Sequence, residues 1–402
     1  MRSHALGLIF FSPFLASAAL GQFHTVRSAG EPVTRMTNVA GISADGRVVV
    51  GTVHEDLAYS AYWWTRGGGR EDIGTAAGVG SVATGISGDG RVIVGYTQTF
   101  PYTDQVPFYW TSANSFVTIP IARGDYGLGL GTNHDGSVIV GSLSYDRANV
   151  AMAFYWSQAT GMLVPEQAGQ EAWCNVAGVS ADGSTLVAEH WQYGAFRWTV
   201  AGGFDYVDQT NGGSNECLGM SRDASILVGW LADRSGAMWT SSGVVNLGKL
   251  PGTSIFRATD VNDAGTVVVG YSEVGIPAQQ FIATIWTAER GLERLSDYLA
   301  AKGIAFPSSY DLLLCSALSA DGRVIGGTAN DRTDRYSRIG FVVDVSSLCD
   351  ADFNGDGFLD FFDYGEFVEA FEAGTERADF NFDGFVDFFD YAEFVRAFEI
   401  GC

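Results

Sequence analysis

Residues 39–51 read "VAGISADGRVVVG". A Ser-x-Asp-Gly step sits between two apolar runs. Gly there takes positive φ at no steric cost, and Asp bonds its own backbone two residues on. The run after it is β-branched and apolar, as expected of a strand covered on both faces. The stretch therefore reads as strand, tight turn, strand.

It recurs as "ATGISGDGRVIVG" (83–95), "GLGTNHDGSVIVG" (129–141), "VAGVSADGSTLVA" (176–188), "CLGMSRDASILVG" (217–229), "ATDVNDAGTVVVG" (258–270) and "CSALSADGRVIGG" (315–327). The central aspartates, Asp45, Asp89, Asp135, Asp182, Asp223, Asp263 and Asp321, read as turn residues. Steps between copies are 40 to 47 residues, with one of 58. Each of the first six turns is followed by an aromatic run ending in Trp64, Trp110, Trp156, Trp198, Trp239 or Trp286. Those tryptophans read as blade packing. Val343 takes the Trp place in the seventh copy, and a short third piece such as "EDIG" (71–74) or "VVNLG" (244–248) follows each of the first six.

Every unit thus offers four short strands, and seven such units predict a seven-bladed β-propeller over 22–346. One blade cannot bury both faces, so the blades must ring. The seventh unit lacks its fourth strand, whereas "FHTV" (23–26) stands spare ahead of the first. We expect 23–26 to complete the last blade and close the ring. The long step contains "SDYLAAKG" (296–303), which predicts a short helix with Ser296 as cap and Gly303 as terminator.

With those motifs in view, "AFYW" and "AFRW" alternating with "GxSxDGxxxVG" resemble the extracellular HAF-repeat proteins of bacteria, over about 39–344. The resemblance implies a secreted repeat protein with no assigned chemistry. The His in that family's name is absent from these copies.

The C-terminus has a different texture. "DFNGDGFLDFFDY" (352–364) returns 27 residues later as "DFNFDGFVDFFDY" (379–391). From Asp350 to Cys402 there are 15 acids and two bases, so this end carries −13 of the chain's −23. Oxygen side chains fall at positions 1, 3, 5, 9 and 12 of each copy: Asp352, Asn354, Asp356, Asp360 and Asp363, then Asp379, Asn381, Asp383, Asp387 and Asp390. Gly357 and Gly384 sit at the bend, and Phe358 and Phe385 at position 7 would offer backbone carbonyls. That order presents hard oxygens to Ca²⁺, so two ions are expected. Each loop runs into one predicted helix, "FFDYGEFVEAFE" and "FFDYAEFVRAFE".

Loop and helix in duplicate, Asp at position 12 and a final "GC" resemble a GC-type dockerin, as found at the C-termini of planctomycete secreted proteins. The resemblance covers 349–402. It implies attachment to a cohesin-like or cell-surface protein, with Cys349–Cys402 as a disulfide tying the module's ends. Phe-Phe at positions 10 and 11 departs from the small polar residues usual in that family. The module holds 15 Phe and Tyr in 53 residues. Leu359 and Val386, with the first-turn Phe residues, are expected to pack the halves together. Part of Phe361, Tyr364, Phe371, Phe388, Tyr391 and Phe398 is expected to stay exposed as a partner site.

The N-terminus reads "MRSHALGLIFFSPFLASAALGQF", a signal peptide (1–21) cleaved after 18 or 21. Its apolar run is too short to span a membrane, and no later run is long enough. A net charge of −23 argues against nucleic acid. His24, His54, His134 and His190 make no ligand-spaced pair, and no nucleophile elbow or phosphate loop occurs. Five cysteines permit disulfides, and Cys174–Cys217 between neighbouring units stays open, which would leave Cys315 free. No catalytic residue stands out. Two functional readings follow: a secreted, surface- or complex-anchored propeller binding a glycan or protein, or a polysaccharide-active hydrolase or lyase carried by the dockerin.

Overall fold

The computed structural model describes residues 23–26, 35–55, 58–74, 79–98, 105–121, 126–145, 150–165, 174–190, 193–207, 216–275, 280–333, 337–346, 351, 353–354, 359–380 and 385–400. The proposed signal segment, Cys349, Cys402, and the loop residues Asp352, Asp356, Phe358, Asn381 and Asp383 lie outside them.

Seven antiparallel sheets of four strands each form the blades of a propeller. Six are consecutive in sequence: 36–74, 80–118, 126–163, 174–206, 216–248 and 255–294. The seventh is built from 310–344 and closed by Phe23–Thr25. Phe23 pairs with Val343, His24 with Val342 and Thr25 with Phe341. The N-terminal strand therefore supplies the strand that the seventh repeat lacks.

The turns behave as their chemistry predicts in six copies. Ser43 Oγ donates to Asp45 Oδ1 at 2.6 Å, and Arg47 N donates to the same oxygen at 3.0 Å. Gly46 follows at φ +78°. Asp89, Asp135, Asp182, Asp223 and Asp321 each accept in the same way from the backbone two residues on.

Asp263 does not, which corrects the sequence reading. In "NDAG" the acid stands one place early, so it cannot reach back into its own turn. It accepts instead from Arg222 N of the preceding blade at 3.1 Å.

That exception exposes a feature sequence reading missed. The residue after each turn's Ser or Asn lies on a closed belt of hydrogen bonds. Ala44 N donates to Gly88 O, Asp89 N to His134 O, His134 N to Ala181 O and Ala181 N to Arg222 O. Arg222 N donates to the Asp263 carboxylate, Asp263 N to Ala320 O, and Ala320 N to Ala44 O at 3.0 Å. Seven links in one direction join all seven blades. Each contributes about 1 kcal/mol net, with one carboxylate standing in for a carbonyl.

The "VG" ending of the motif also has a cause. The first strand of each blade carries a bulge, Val39/Gly41 in the first. Its carbonyls then crowd the second strand: a Cβ on Gly51 would sit 1.9 Å from Asn38 O and 2.6 Å from the Tyr62 hydroxyl. Glycine there also makes room for the aromatic ring of the third strand.

The recurring tryptophans pack within and between blades. Trp64, Trp198 and Trp239 are buried, and Trp110, Trp156 and Trp286 are half-buried against neighbouring cores.

Cys174, Cys217 and Cys315 are buried free thiols, pushed up to about 12 by burial. The open Cys174–Cys217 pairing is thereby excluded. The two side chains belong to different inter-blade cores, and Cys217 Sγ donates to Gly219 O.

The long repeat does insert a helix, α1 (Leu295–Ala301). Its N-cap is Arg294 rather than Ser296, with no side-chain cap bond, and Gly303 ends it at φ +72°. Leu295, Tyr298 and Leu299 are drawn into the core between blades six and seven, which moves the helix start one residue ahead of the serine.

Two further helices follow, α2 (Phe361–Glu372) and α3 (Phe388–Ile400). Phe367 and Phe394, related by the 27-residue repeat, stack at 3.9 Å and 4°. Around them the contacts exchange: Tyr364 meets Phe398 at 5.9 Å and Phe371 meets Tyr391 at 5.8 Å. The Tyr364 and Tyr391 hydroxyls bond each other at 2.5 Å. The duplication is a pseudo-twofold aromatic core. Among the described residues no helix is long and apolar enough to cross a membrane.

Candidate binding sites

Three features of the molecule can recognise something. The first is in the acidic module. Asp363 and Asp390, position 12 of the two loops, are fully buried, and Asp379 is buried as well. Asp363 accepts from Asn354 N at 3.0 Å and from Asp360 N at 2.9 Å. Asp390 accepts from Asp387 N at 2.8 Å. Asp360 and Asp387 cap the helices by accepting from Phe362 N and Phe389 N.

The residues of each loop so divide their work. Position 9 starts the helix and position 12 folds back over the loop. Buried carboxylates in so acidic a segment cost several kcal/mol unless cationic charge compensates them. The donor set is hard oxygen throughout, which fits Ca²⁺ in character. Phe385, at position 7 of the second loop, has an exposed side chain.

The second feature is the aromatic surface of the same module. Phe361, Phe362, Phe388 and Phe389 are 79%, 71%, 72% and 65% exposed. The expectation that these first-turn residues pack the halves together is corrected. The core is made instead by Phe367, Phe394 and their neighbours one and two turns on, while Leu359 and Val386 pack against it as expected. Of the six residues expected at a partner surface, only Phe361 and Phe388 stand out in solvent. Tyr364, Phe371, Tyr391 and Phe398 are half-buried in the core. Phe362 and Phe389 were missed, although Phe-Phe at positions 10 and 11 sets them beside Phe361 and Phe388.

The third feature is the propeller's hollows. A central channel of about 640 Å³ is walled by the first strands of all seven blades. At the level of the bulges the small residues nearly touch: a Cβ on Gly41 would sit 3.2 Å from Gly85 Cα. Asp260 stands where five other blades carry such a glycine and the seventh carries Ala317. It accepts from Val261 N and from Leu318 N of the next blade. Its edge still meets the channel, but the protein around it desolvates the carboxyl and pushes it up to about 7.

Glu189 behaves alike. Buried, with one oxygen unbonded among the described residues, it is pushed up to about 7 by desolvation and then by Glu216. Glu216 itself is held by Trp230 Nε1 and by Arg257, which lies 4.9 Å over the Trp230 ring.

These two acids make the propeller pH-sensitive in a direction opposite to ordinary acid denaturation. Their folded pKa values lie above the ordinary values of 3.8 and 4.5, so the folded state holds protons that the unfolded chain releases. Stability contributed by the protonated forms is full below about pH 4 and is lost as pH rises to about 7. For Glu189 the loss is on the order of 3 kcal/mol. All ten tryptophans precede residue 347, so their fluorescence reads the propeller alone. The wild-type melting temperature should fall between pH 5 and 8, and Glu189→Gln should flatten that fall. A variant that tracks the wild type across this window would refute the assignment.

A larger hollow, a cleft of about 1010 Å³, opens between blades six and seven. Its walls are the starts of the strands at Gln280, Tyr310 and Arg338 and the inserted segment after Arg294. Arg294, Arg332 and Arg338 all line it, with the exposed Phe281 beside them.

No family model matches the chain, and no curated protein matches it. Solved structures do. Over 80% of this chain it resembles an oligogalacturonate lyase from Vibrio parahaemolyticus, at 12% identity, TM-score 0.54, covering 96% of that chain. An oligogalacturonate lyase in complex with manganese matches at 12% identity and TM-score 0.53 over the same shares. A virginiamycin B lyase from Staphylococcus aureus matches at 13% identity and TM-score 0.51, covering 98% of that chain. At such identities the likeness concerns the propeller fold.

Proposed function

We propose that the chain is a secreted propeller that binds a ligand and is anchored to the cell surface or to a complex through its C-terminal module. The module is a dockerin-like unit holding two calcium ions and facing a cohesin-like or surface protein. The observation that carries this reading is the module's division of its aromatics. One symmetric set forms the core, and a second, Phe361, Phe362, Phe388 and Phe389, is left in solvent. With Phe385, five exposed phenylalanines are described on this small unit, which is costly unless a partner covers them. The relation of the first four by a pseudo-twofold offers that partner two equivalent orientations.

The proposed signal cleavage after 18 or 21 fits the same reading. It leaves Phe23 and the closing strand on the mature chain.

Fractionation of the source cells tests the anchor. The full chain should sediment with the cell envelope in calcium and be released by EGTA. A chain with Phe361, Phe362, Phe388 and Phe389 changed to Ser should remain in the supernatant in both. Retention of that variant would remove the aromatic surface from the reading.

A further inference from the structure

We propose that the cleft between blades six and seven binds a carboxylated oligosaccharide of the uronic acid class. The inference deepens the binding reading above by assigning its ligand site. It rests on three independent observations.

The first is charge. The chain carries 23 Lys and Arg against 46 Asp and Glu, yet three arginines line this one cleft. Arg332 is held by Asp311, with Nη2 at 2.6 Å. Arg294 and Arg338 have no ion pair or hydrogen bond among the described residues, and both side chains are exposed. Two unspent guanidinium forks fit carboxylates, which they take in a bidentate, charge-assisted manner.

The second is the flat apolar surface beside them. Phe281 is 36% exposed at the cleft, held edge-on by Tyr271 at 5.5 Å, and Tyr310 lines the same wall. A rigid ring next to donors suits the face of a pyranose, which is apolar on its C–H side and hydroxylated at its rim. A small inorganic anion would have no use for it.

The third is construction. The cleft belongs to the one repeat whose step is 58 residues rather than 40 to 47. The insertion that lengthens it docks α1 into the core through Leu295, Tyr298 and Leu299. That docking places Arg294, Ser296 and Ser308 on the cleft wall. At about 1010 Å³ the space lies at the upper end of small-ligand pockets, which suits several linked sugar rings rather than one.

Calorimetry on the full chain in calcium decides the matter, with a tetramer of galacturonic acid as probe and its methyl ester as the neutral control. The acid tetramer should bind, the ester at least tenfold more weakly. The double variant Arg294→Gln, Arg338→Gln should lose at least tenfold while its tryptophan melt stays that of the wild type. Affinity should also fall with salt. Equal binding of acid and ester, no binding of the acid tetramer, or full affinity in the double variant would each overturn the proposal. So would tighter binding of an acidic peptide than of the tetramer through the same two arginines. None of these outcomes bears on envelope retention in calcium, so the anchor and the cleft stand or fall separately.

Discussion

Deleting residues 23–26 should lower the tryptophan melting temperature of the propeller by on the order of 10 °C or more. The segment is four residues long, three of them strand, but among the described residues it is the only cover for one edge of the seventh blade. Phe23 is buried, stacked on Phe341 at 5.5 Å and tilted against Phe306 at 5.6 Å. Val26 is fully buried and donates to Gly340 O at 3.0 Å. Removing a buried Phe costs about 3–5 kcal/mol and a buried Val about 1.5–3 kcal/mol. The sum is a large part of the 5–15 kcal/mol typical of a whole domain. For a chain of this size each kcal/mol moves the midpoint by about 2 °C. Deletion also bares the 338–344 strand as an edge for intermolecular pairing, so aggregation should accompany the loss. Phe23→Ala alone should cost about half as much. Reinserting 23–26 through a short linker after 346 should restore the melt, because the strand runs antiparallel to 338–344 and can return as a hairpin. An unchanged melt in the deletion would mean that the belt of turn hydrogen bonds closes the ring unaided.

The closing strand was legible because the repeat is periodic. Seven turns set a count of four strands per unit, and the arithmetic left one strand missing at one end and one spare at the other. The inserted helix was legible for the same reason, as an excess over the period. Features carried by a departure from the consensus were harder. "NDAG" looked like one more turn acid. Only in three dimensions does Asp263 prove to face the preceding blade, since a one-residue slip sends the carboxylate along the belt. Asp260 and Glu189 looked like ordinary strand residues, and their burial comes from neighbouring blades that no local pattern describes. The cleft joins residues scattered from 274 to 338, with Met36 of the first blade, so its arginines never appear as a motif. In the module, heavy duplication hid a choice. Aromatics repeated at nearly every position did not say which set faced inward until Phe367 and Phe394 were seen to stack.

Calcium removal should unfold the C-terminal module and leave the propeller intact. The argument is one of scale. The module's core is a handful of aromatics around Phe367 and Phe394, and a core of that size alone is marginal. Against it stand 15 acids and two bases, with Asp363, Asp379 and Asp390 buried. Calcium ions held in the proposed loops would reverse the sign of that crowding. Each site held at 100 times its dissociation constant adds about 2.7 kcal/mol, so two sites add as much as a small domain's whole stability. Titration of the full chain should give two calcium ions per molecule. EGTA should abolish the helical signal at 222 nm from α2 and α3 without moving the tryptophan melt. Asp363→Asn with Asp390→Asn keeps the shape of both buried side chains and one accepting oxygen on each. It should nevertheless remove most of the calcium heat, because an amide lacks the charge and the bidentate bite. Magnesium, which demands a tighter octahedral shell, should not substitute. The double variant also separates metal from fold. If calcium stabilises the module through these loops, the variant should look like the wild type in EGTA and stay so when calcium is added. If it keeps its helices in EGTA and binds two ions in calcium, the loops are not the site and the buried carboxylates are compensated within the protein.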